Sequence, residues 1–246
     1  MLILLPPSEG KAAPASGDPV DLDSLAFSAQ LGQRRAALLD ALERLDKAST
    51  KRALEMLAIS KGQAGEIAVD VALRSAAAAP AAEVYTGVLY DHLELAKLSK
   101  TARRRVLIAS ALWGMVRPED RIPYYRFSAK ARLPKIGPLA SWWRQSLAEA
   151  MPDEPGDLVI DMRSGAYAAA WKPRQATLLA VRAFSESNGK RKPVSHMAKA
   201  VRGDVAQALL RARKAPGDPQ AAASIVAAAG FEVELDGSNL DVIVSS

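Results

Sequence analysis

The chain alternates short, wholly apolar runs with longer stretches in which apolar residues recur at helical spacing. Residues 1–5 are uninterrupted apolar sequence closed by Pro6-Pro7, the pattern of a buried strand that leaves in an extended conformation. Residues 11–21, rich in Pro, Gly, Ala and Ser, predict a loop. Over residues 22–45, Leu31, Leu38, Leu42 and Leu45 recur on one side, with Leu39 on the flank. Arg34, Arg35, Asp40, Glu43 and Arg44 occupy the other, so an amphipathic helix is expected, broken near Gly32. Further helices are predicted at 51–57 and 64–79. The alanine-rich stretch 76–82 around Pro80 reads as a helix end and linker.

Residues 106–109 and 158–162 are apolar strand candidates, with a helix over 142–151 between them. Residues 176–184 alternate Thr177, Leu179 and Val181 against Leu178, Ala180 and Arg182, which predicts a third strand. Asn188-Gly189 is a hairpin signal, with Val194-Ser195 beginning the return strand. A helix follows over 197–213, capped near Ser195, with Val201, Val205 and Leu209 one turn apart. Pro219 opens another helix that Gly230 ends. Residues 231–235 and 240–244 flank Asp236-Gly237-Ser238-Asn239 as a terminal hairpin. The elements predict an α/β fold with a mixed central sheet flanked by helices, in one domain over residues 1–246. There is no regular βαβαβ alternation, no GxGxxG and no GxxxxGK[ST], against dinucleotide and P-loop sites.

Composition narrows the function. Among 246 residues there is no cysteine, which excludes disulfides, thiolate nucleophiles and cysteine-held metal centres. The two histidines, His92 and His196, are far apart, so a histidine-rich transition-metal site is not expected; a carboxylate site for a hard metal stays open but has no spacing signature, and no metal ligands or cofactor are assigned. His196 beside Ser195 does not read as a catalytic dyad. The net charge of +6 favours a polyanionic partner. No apolar run suits a signal peptide or a membrane span, so a cytoplasmic protein is expected, without a membrane partner and acting as a monomer.

Four segments place polar residues after apolar runs, where α/β folds build ligand sites. Pro6-Pro7-Ser8-Glu9-Gly10-Lys11 offers a hydroxyl, a carboxylate and an amine within four residues. In Tyr85-Thr86-Gly87-Val88-Leu89-Tyr90 the tyrosines suit either base stacking or core packing. The segment 110–126 combines Arg117, Arg121 and Arg126 with Trp113, Tyr124 and Tyr125, pairing phosphate forks with stacking faces. The fourth joins Ser164, Tyr167 and Lys172 to Lys199 and Arg202, which lie at i, i+3 on one helix face.

In this order, the segments resemble the YaaA family of peroxide stress response proteins, over essentially the whole chain. The resemblance rests on the start 1–11, Tyr85-Thr86-Gly87, Ser110-Ala111-Leu112-Trp113-Gly114, Arg117-Pro118 with Asp120, and Pro123-Tyr124-Tyr125-Arg126. It continues through Ser164, Tyr167, Lys172-Pro173, Lys199 and Arg202-Gly203. It implies a compact domain with a basic cleft and a helix-hairpin-helix-like element, DNA binding through both, and protection of DNA by lowering free iron. Residues 112–120 are the expected place of the hairpin. The chain departs from the family pattern at Ala166, where an acidic residue is common, and at Trp113, where tyrosine is usual.

Two readings follow. In the first, the chain is a DNA-binding stress protein that holds duplex DNA largely without regard to sequence, through Lys11, Arg117, Arg121, Arg126, Lys172, Lys199 and Arg202. In the second, the same cleft is an enzyme site for a nucleotide, nucleobase or related small anion. Glu9 is then the general acid or base, Ser8, Tyr125, Ser164 and Tyr167 are further catalytic candidates, and the cations are the clamp.

Overall fold

The computed structural model describes residues 1–187, 190–193 and 197–245. Strands β1 (Leu2–Leu5), β3 (Val106–Ser110) and β6 (Leu158–Asp161) are the apolar runs read from the sequence, and all three are parallel neighbours. Nearly continuous apolar sequence suits strands covered on both faces. β7 (Thr177–Ser187) lies parallel to β6, and β10 (Asn239–Ser245) lies parallel to β7. Antiparallel strands close the two edges, β4 (Gly114–Val116) on β3 and β9 (Glu232–Asp236) on β10. The sheet order is β4-β3-β1-β6-β7-β10-β9, with β8 (Lys190–Pro193) antiparallel to β7. β2 (Ala78–Pro80) and β5 (Arg121–Pro123) form a separate antiparallel pair. The result is a single α/β fold with a mixed central sheet flanked by helices.

The helices are α1 (Ser28–Glu43), α2 (Thr50–Leu57), α3 (Glu66–Val71), α4 (Ala81–Val84) and α5 (Val88–Leu93). They continue with α6 (Lys100–Arg103), α7 (Leu139–Ala150), α8 (Gly165–Ala168), α9 (Met197–Arg211) and α10 (Pro219–Ala228). They gather in two groups, α1 with α3 and α7, and α9 with α5, α6 and α10. Asp218 caps α10 by accepting from the Ala221 amide at 2.8 Å, next to the proline at its first position. Gly230, at φ 95°, ends it.

Several expectations are corrected. α1 runs unbroken through Gly32, because Leu31, Leu38, Leu39 and Leu42 bury on both sides of it. Only residues Glu66–Val71 of the predicted third helix are helical. Residues 76–82 are not a linker: Ala78 and Ala81 are fully buried, and their small side chains let β2 pair closely with β5. Residues 112–120 do not form a helical hairpin with exposed amides. They fold back as β4 and a tight loop whose Leu112, Trp113, Met115 and Val116 are buried in the core. Arg35, assigned by periodicity to the polar face, is fully buried. Its Nε donates to the Trp113 carbonyl at 3.0 Å, and its Nη2 to the carbonyls of Met115 at 2.9 Å and Ala26 at 2.8 Å. The Asn188-Gly189 turn, Val194-Ser195 and His196 lie outside the described residues.

Helices α5 and α9 touch at Gly203. A Cβ there would lie 2.5 Å from the Leu89 carbonyl oxygen and 2.6 Å from the His92 Cβ. Gly203→Ala is therefore expected to destabilise by about 1–3 kcal/mol in denaturant unfolding, although alanine favours a free helix by about 1 kcal/mol. Equal or greater stability would show that the helices can part without cost.

Candidate functional site

Parallel alignment brings the C-terminal ends of β1, β3 and β6 together: Leu5 pairs with Ile108, and Leu4 with Asp161. The chain leaving β1 is held by the 84–86 segment. The Ala12 amide donates to the Val84 carbonyl at 2.8 Å, and the Thr86 amide to the Gly10 carbonyl at 3.2 Å. Tyr90 donates to the Pro6 carbonyl at 2.7 Å. The chain leaving β6 is anchored by a buried ion pair: Arg163 Nε and Nη2 reach the two Asp161 carboxylate oxygens at 2.9 and 2.8 Å. Nη2 also donates to the Trp171 carbonyl at 2.8 Å.

Between these loops lies a cleft of about 670 Å³. Ser8, Glu9 and Lys11 line it from the β1 loop, and Ser164 and Tyr167 from the β6 loop and α8. Arg126 enters from the chain after β5, and Lys199 and Arg202 from the first turns of α9. These eight residues are the part of the expected site that the fold brings together. Arg126 Nη1 donates to the Glu9 carbonyl at 3.0 Å, tying two of the segments together. Among the described residues, none of Lys11, Arg126, Lys199 and Arg202 is ion-paired, whereas six arginines elsewhere are.

Four candidates do not line the cleft. Tyr125 is only 1% exposed. It sits beneath the cleft in a hydroxyl chain, 2.7 Å from Tyr85 and 2.8 Å from Ser110, and cannot meet a ligand. Its ring instead supports Lys11, whose Nζ is 4.4 Å from the ring centroid. Tyr85 is equally buried, so the packing reading of that tyrosine holds. Arg117 covers Phe27 and donates to the Arg104 carbonyl at 3.3 Å. Arg121 donates to the Ala78 carbonyl at 2.5 Å, bracing β2. Lys172 is exposed outside the cleft. Of the two departures from the family pattern, Ala166 lines the cleft and Trp113 is core.

The sequence reading missed an acidic group behind the cleft. Asp70 on α3 is fully buried and accepts from the Arg126 amide at 2.8 Å, while its Oδ2 has no hydrogen-bond partner among the described residues. Burial pushes its carboxyl up to about 7, with Glu66 adding to the rise and the Arg126 amide, Lys11 and Arg126 opposing it. Glu66 accepts from the Tyr124 hydroxyl at 2.9 and 3.1 Å. Lys11 shows the converse shift. Burial, then the Arg126 charge, pushes its amine down to about 8, against the opposing pull of Asp70, Glu9 and Glu66. Its Nζ donates to the Ser8 carbonyl at 2.8 Å. Burial raises the Tyr167 hydroxyl, which stays protonated at neutral pH, and lowers Arg202, whose Nε also lacks a partner among the described residues. The one sequence signal for Asp70 was its position between Val69 and Val71.

A profile of the family described as peroxide stress protein YaaA matches residues 1–234. A UPF0246 protein of Streptomyces coelicolor is 43% identical, with 99% of this chain and 98% of that protein covered. A UPF0246 protein of Corynebacterium glutamicum is 38% identical over 95% of each chain, and one of Corynebacterium efficiens 36% over 96% of each. No helix among the described residues is long and apolar enough to cross a membrane.

Proposed function

This chain belongs to the peroxide stress protein YaaA family, and from that premise we propose that its cleft binds a phosphate-bearing ligand of nucleotide size. One observation carries the reading: Lys11, Arg126, Lys199 and Arg202, drawn from three separate segments, face one cleft without a carboxylate partner among the described residues. A volume of about 670 Å³ falls in the range of small-ligand sites, roughly 300–1,000 Å³. It is large enough for a single nucleotide unit. Ser8, Glu9, Ser164 and Tyr167 add donors and acceptors beyond what a phosphate groove needs.

DNA is the second reading, with its own support. Lys51, Arg52 and Arg132 form a shallow basic surface at α2, whose C-terminal neighbours Ala58 and Ile59 line the cleft. A strand running along that surface would present one unpaired nucleotide to the cleft. We read any lowering of free iron as a consequence of that binding, since a chain with no cysteine and two distant histidines is poorly furnished to hold iron itself.

Calorimetric titration with nucleoside phosphates, single-stranded oligonucleotide and duplex tests both readings. The double charge reversal Arg126→Glu with Arg202→Glu is expected to weaken nucleotide binding on the order of a hundredfold or more. Arg117→Glu, outside the cleft, should leave it unchanged. Reversing Lys51, Arg52 and Arg132 should weaken the oligonucleotide alone and flatten its salt dependence. No binding by the parent, or undiminished binding by the cleft variant, would reject the cleft reading.

A further inference from the structure

Three lysines line the cleft, and they are not equivalent. Lys130 and Lys199 are exposed. Lys11 is half-buried: its Nζ is held by the Ser8 carbonyl at 2.8 Å, against the face of Tyr125 at 4.4 Å and near that of Tyr85 at 5.8 Å. An ammonium chosen for binding alone is usually solvated or paired with a carboxylate. Lys11 is half-buried and in no ion pair among the described residues; Asp70, Glu9 and Glu66 act on it only at longer range, and Arg126 stands beside it. A desolvated lysine next to another cation is how proteins keep an amine neutral and nucleophilic. The remaining cleft cations supply an anion clamp.

We propose that Lys11 is a nucleophile that forms an imine with an aldehyde carrying a phosphate, the phosphate being held by Arg126, Lys199 and Arg202. The proposal rests on the anion-site reading of the cleft. The neutral Nζ attacks the carbonyl carbon, and the C–N bond forms as the carbonyl π pair moves to oxygen. A proton passes from nitrogen to that oxygen, giving the carbinolamine. Protonation of the hydroxyl and loss of water then leave the protonated C=N bond, and return of its N–H proton to the group that supplied one gives the imine. One amine and one aldehyde give one imine and one water, with no oxidant or reductant consumed. Glu9 and Tyr167 line the same cleft as groups that can pass these protons.

Two sources share this chemistry: a free sugar phosphate in its open-chain form, and a sugar in a nucleic-acid strand that has lost its base. The full chain is incubated with cyanoborohydride and, in separate arms, ribose 5-phosphate, unphosphorylated ribose, a single-stranded oligonucleotide with one abasic site, and the same oligonucleotide intact. Cyanoborohydride reduces an imine to a stable secondary amine, which intact-mass measurement and peptide mapping locate. The expected result is an adduct at Lys11 with one or both phosphorylated aldehydes, well above the ribose and intact-strand arms. An adduct from the oligonucleotide alone assigns the strand as source, and one from ribose 5-phosphate alone assigns the free sugar.

Adduct formation should rise with pH through about 8, following Lys11 among the charges of Arg126, Asp70, Glu9 and Glu66. An ordinary lysine would need a pH near 10.4. Lys11→Arg keeps the charge and should lose the adduct. Mapping on the parent protein decides the matter even if that variant misfolds. No adduct in any arm, or one mapped to Lys130 or Lys199, overturns the proposal. If nucleoside monophosphate still binds while no adduct forms, the imine alone fails. If binding is absent too, the reading of the cleft fails with it.

Discussion

Replacing Arg163 by alanine is expected to cost about 3–5 kcal/mol of stability. The Arg163 side chain is fully buried and the Asp161 side chain nearly so, and the guanidinium meets both carboxylate oxygens. Desolvating both ions leaves little net gain from the pair, so its presence alone is weak support for stability. Removing one partner is different, because the Asp161 carboxylate would stay buried with only the residue 163 amide donating to it at close range. The Trp171 carbonyl would also lose its donor. The loss has a functional side, since Ser164 and Tyr167 follow directly and Asp161 also acts on Arg202. Denaturant unfolding gives the stability change, and titration of the folded fraction gives ligand affinity. Replacing both Asp161 and Arg163 with apolar residues of similar volume should recover most of the stability and little of the affinity. If Arg163→Ala alone unfolds within 1 kcal/mol of the parent, about the value of an exposed pair, the ion pair is not what anchors this loop.

That loop also marks how far the sequence could be read. Strands β1, β3, β6, β7, β9 and β10 were legible because apolar runs or alternation are local properties of the chain. β2, β4 and β5 were not. Each spans three residues, and each is a strand only because a distant segment pairs with it. The cleft divides in the same way. Ser8, Glu9, Lys11, Ser164 and Tyr167 follow strands, and the strand-end rule located them. Asp70 and Arg35 were missed or misassigned because each reads as an ordinary charge on a helix, and burial of a charge depends on what packs over it. Arg117 and Arg121 stand outside the cleft for the opposite reason. They sit in a segment rich in phosphate-binding residue types, but the Arg117 guanidinium satisfies the Arg104 carbonyl at the end of α6 and the Arg121 guanidinium the Ala78 carbonyl of β2. Residue type fits both roles, and only geometry separates them.

Asp70→Asn is expected to make the protein more stable at pH 8, by up to about 4 kcal/mol, taking 1.36 kcal/mol per pKa unit. The sign follows from the raised carboxyl, at about 7 in the folded protein against an ordinary value of 3.8. Between those values the native state holds a proton that the unfolded chain has released, so parent stability falls as pH rises from about 4 to about 7. Above that range the native protein carries a buried, ionised carboxylate with one unpartnered oxygen. Asparagine carries no charge, and its side-chain oxygen still accepts from the Arg126 amide. The gain over the parent should therefore be largest above pH 7 and vanish near pH 4, in unfolding measured at both ends. The variant should also change Lys11. The Asp70 charge holds the Lys11 amine up, so removing it lets burial and Arg126 push the amine lower. The pH at which cyanoborohydride traps an adduct should then move down, while Lys11→Arg abolishes trapping at every pH. A parallel stability profile in parent and variant would show that Asp70 does not titrate as its burial requires. An unmoved trapping profile would show that its charge does not reach Lys11.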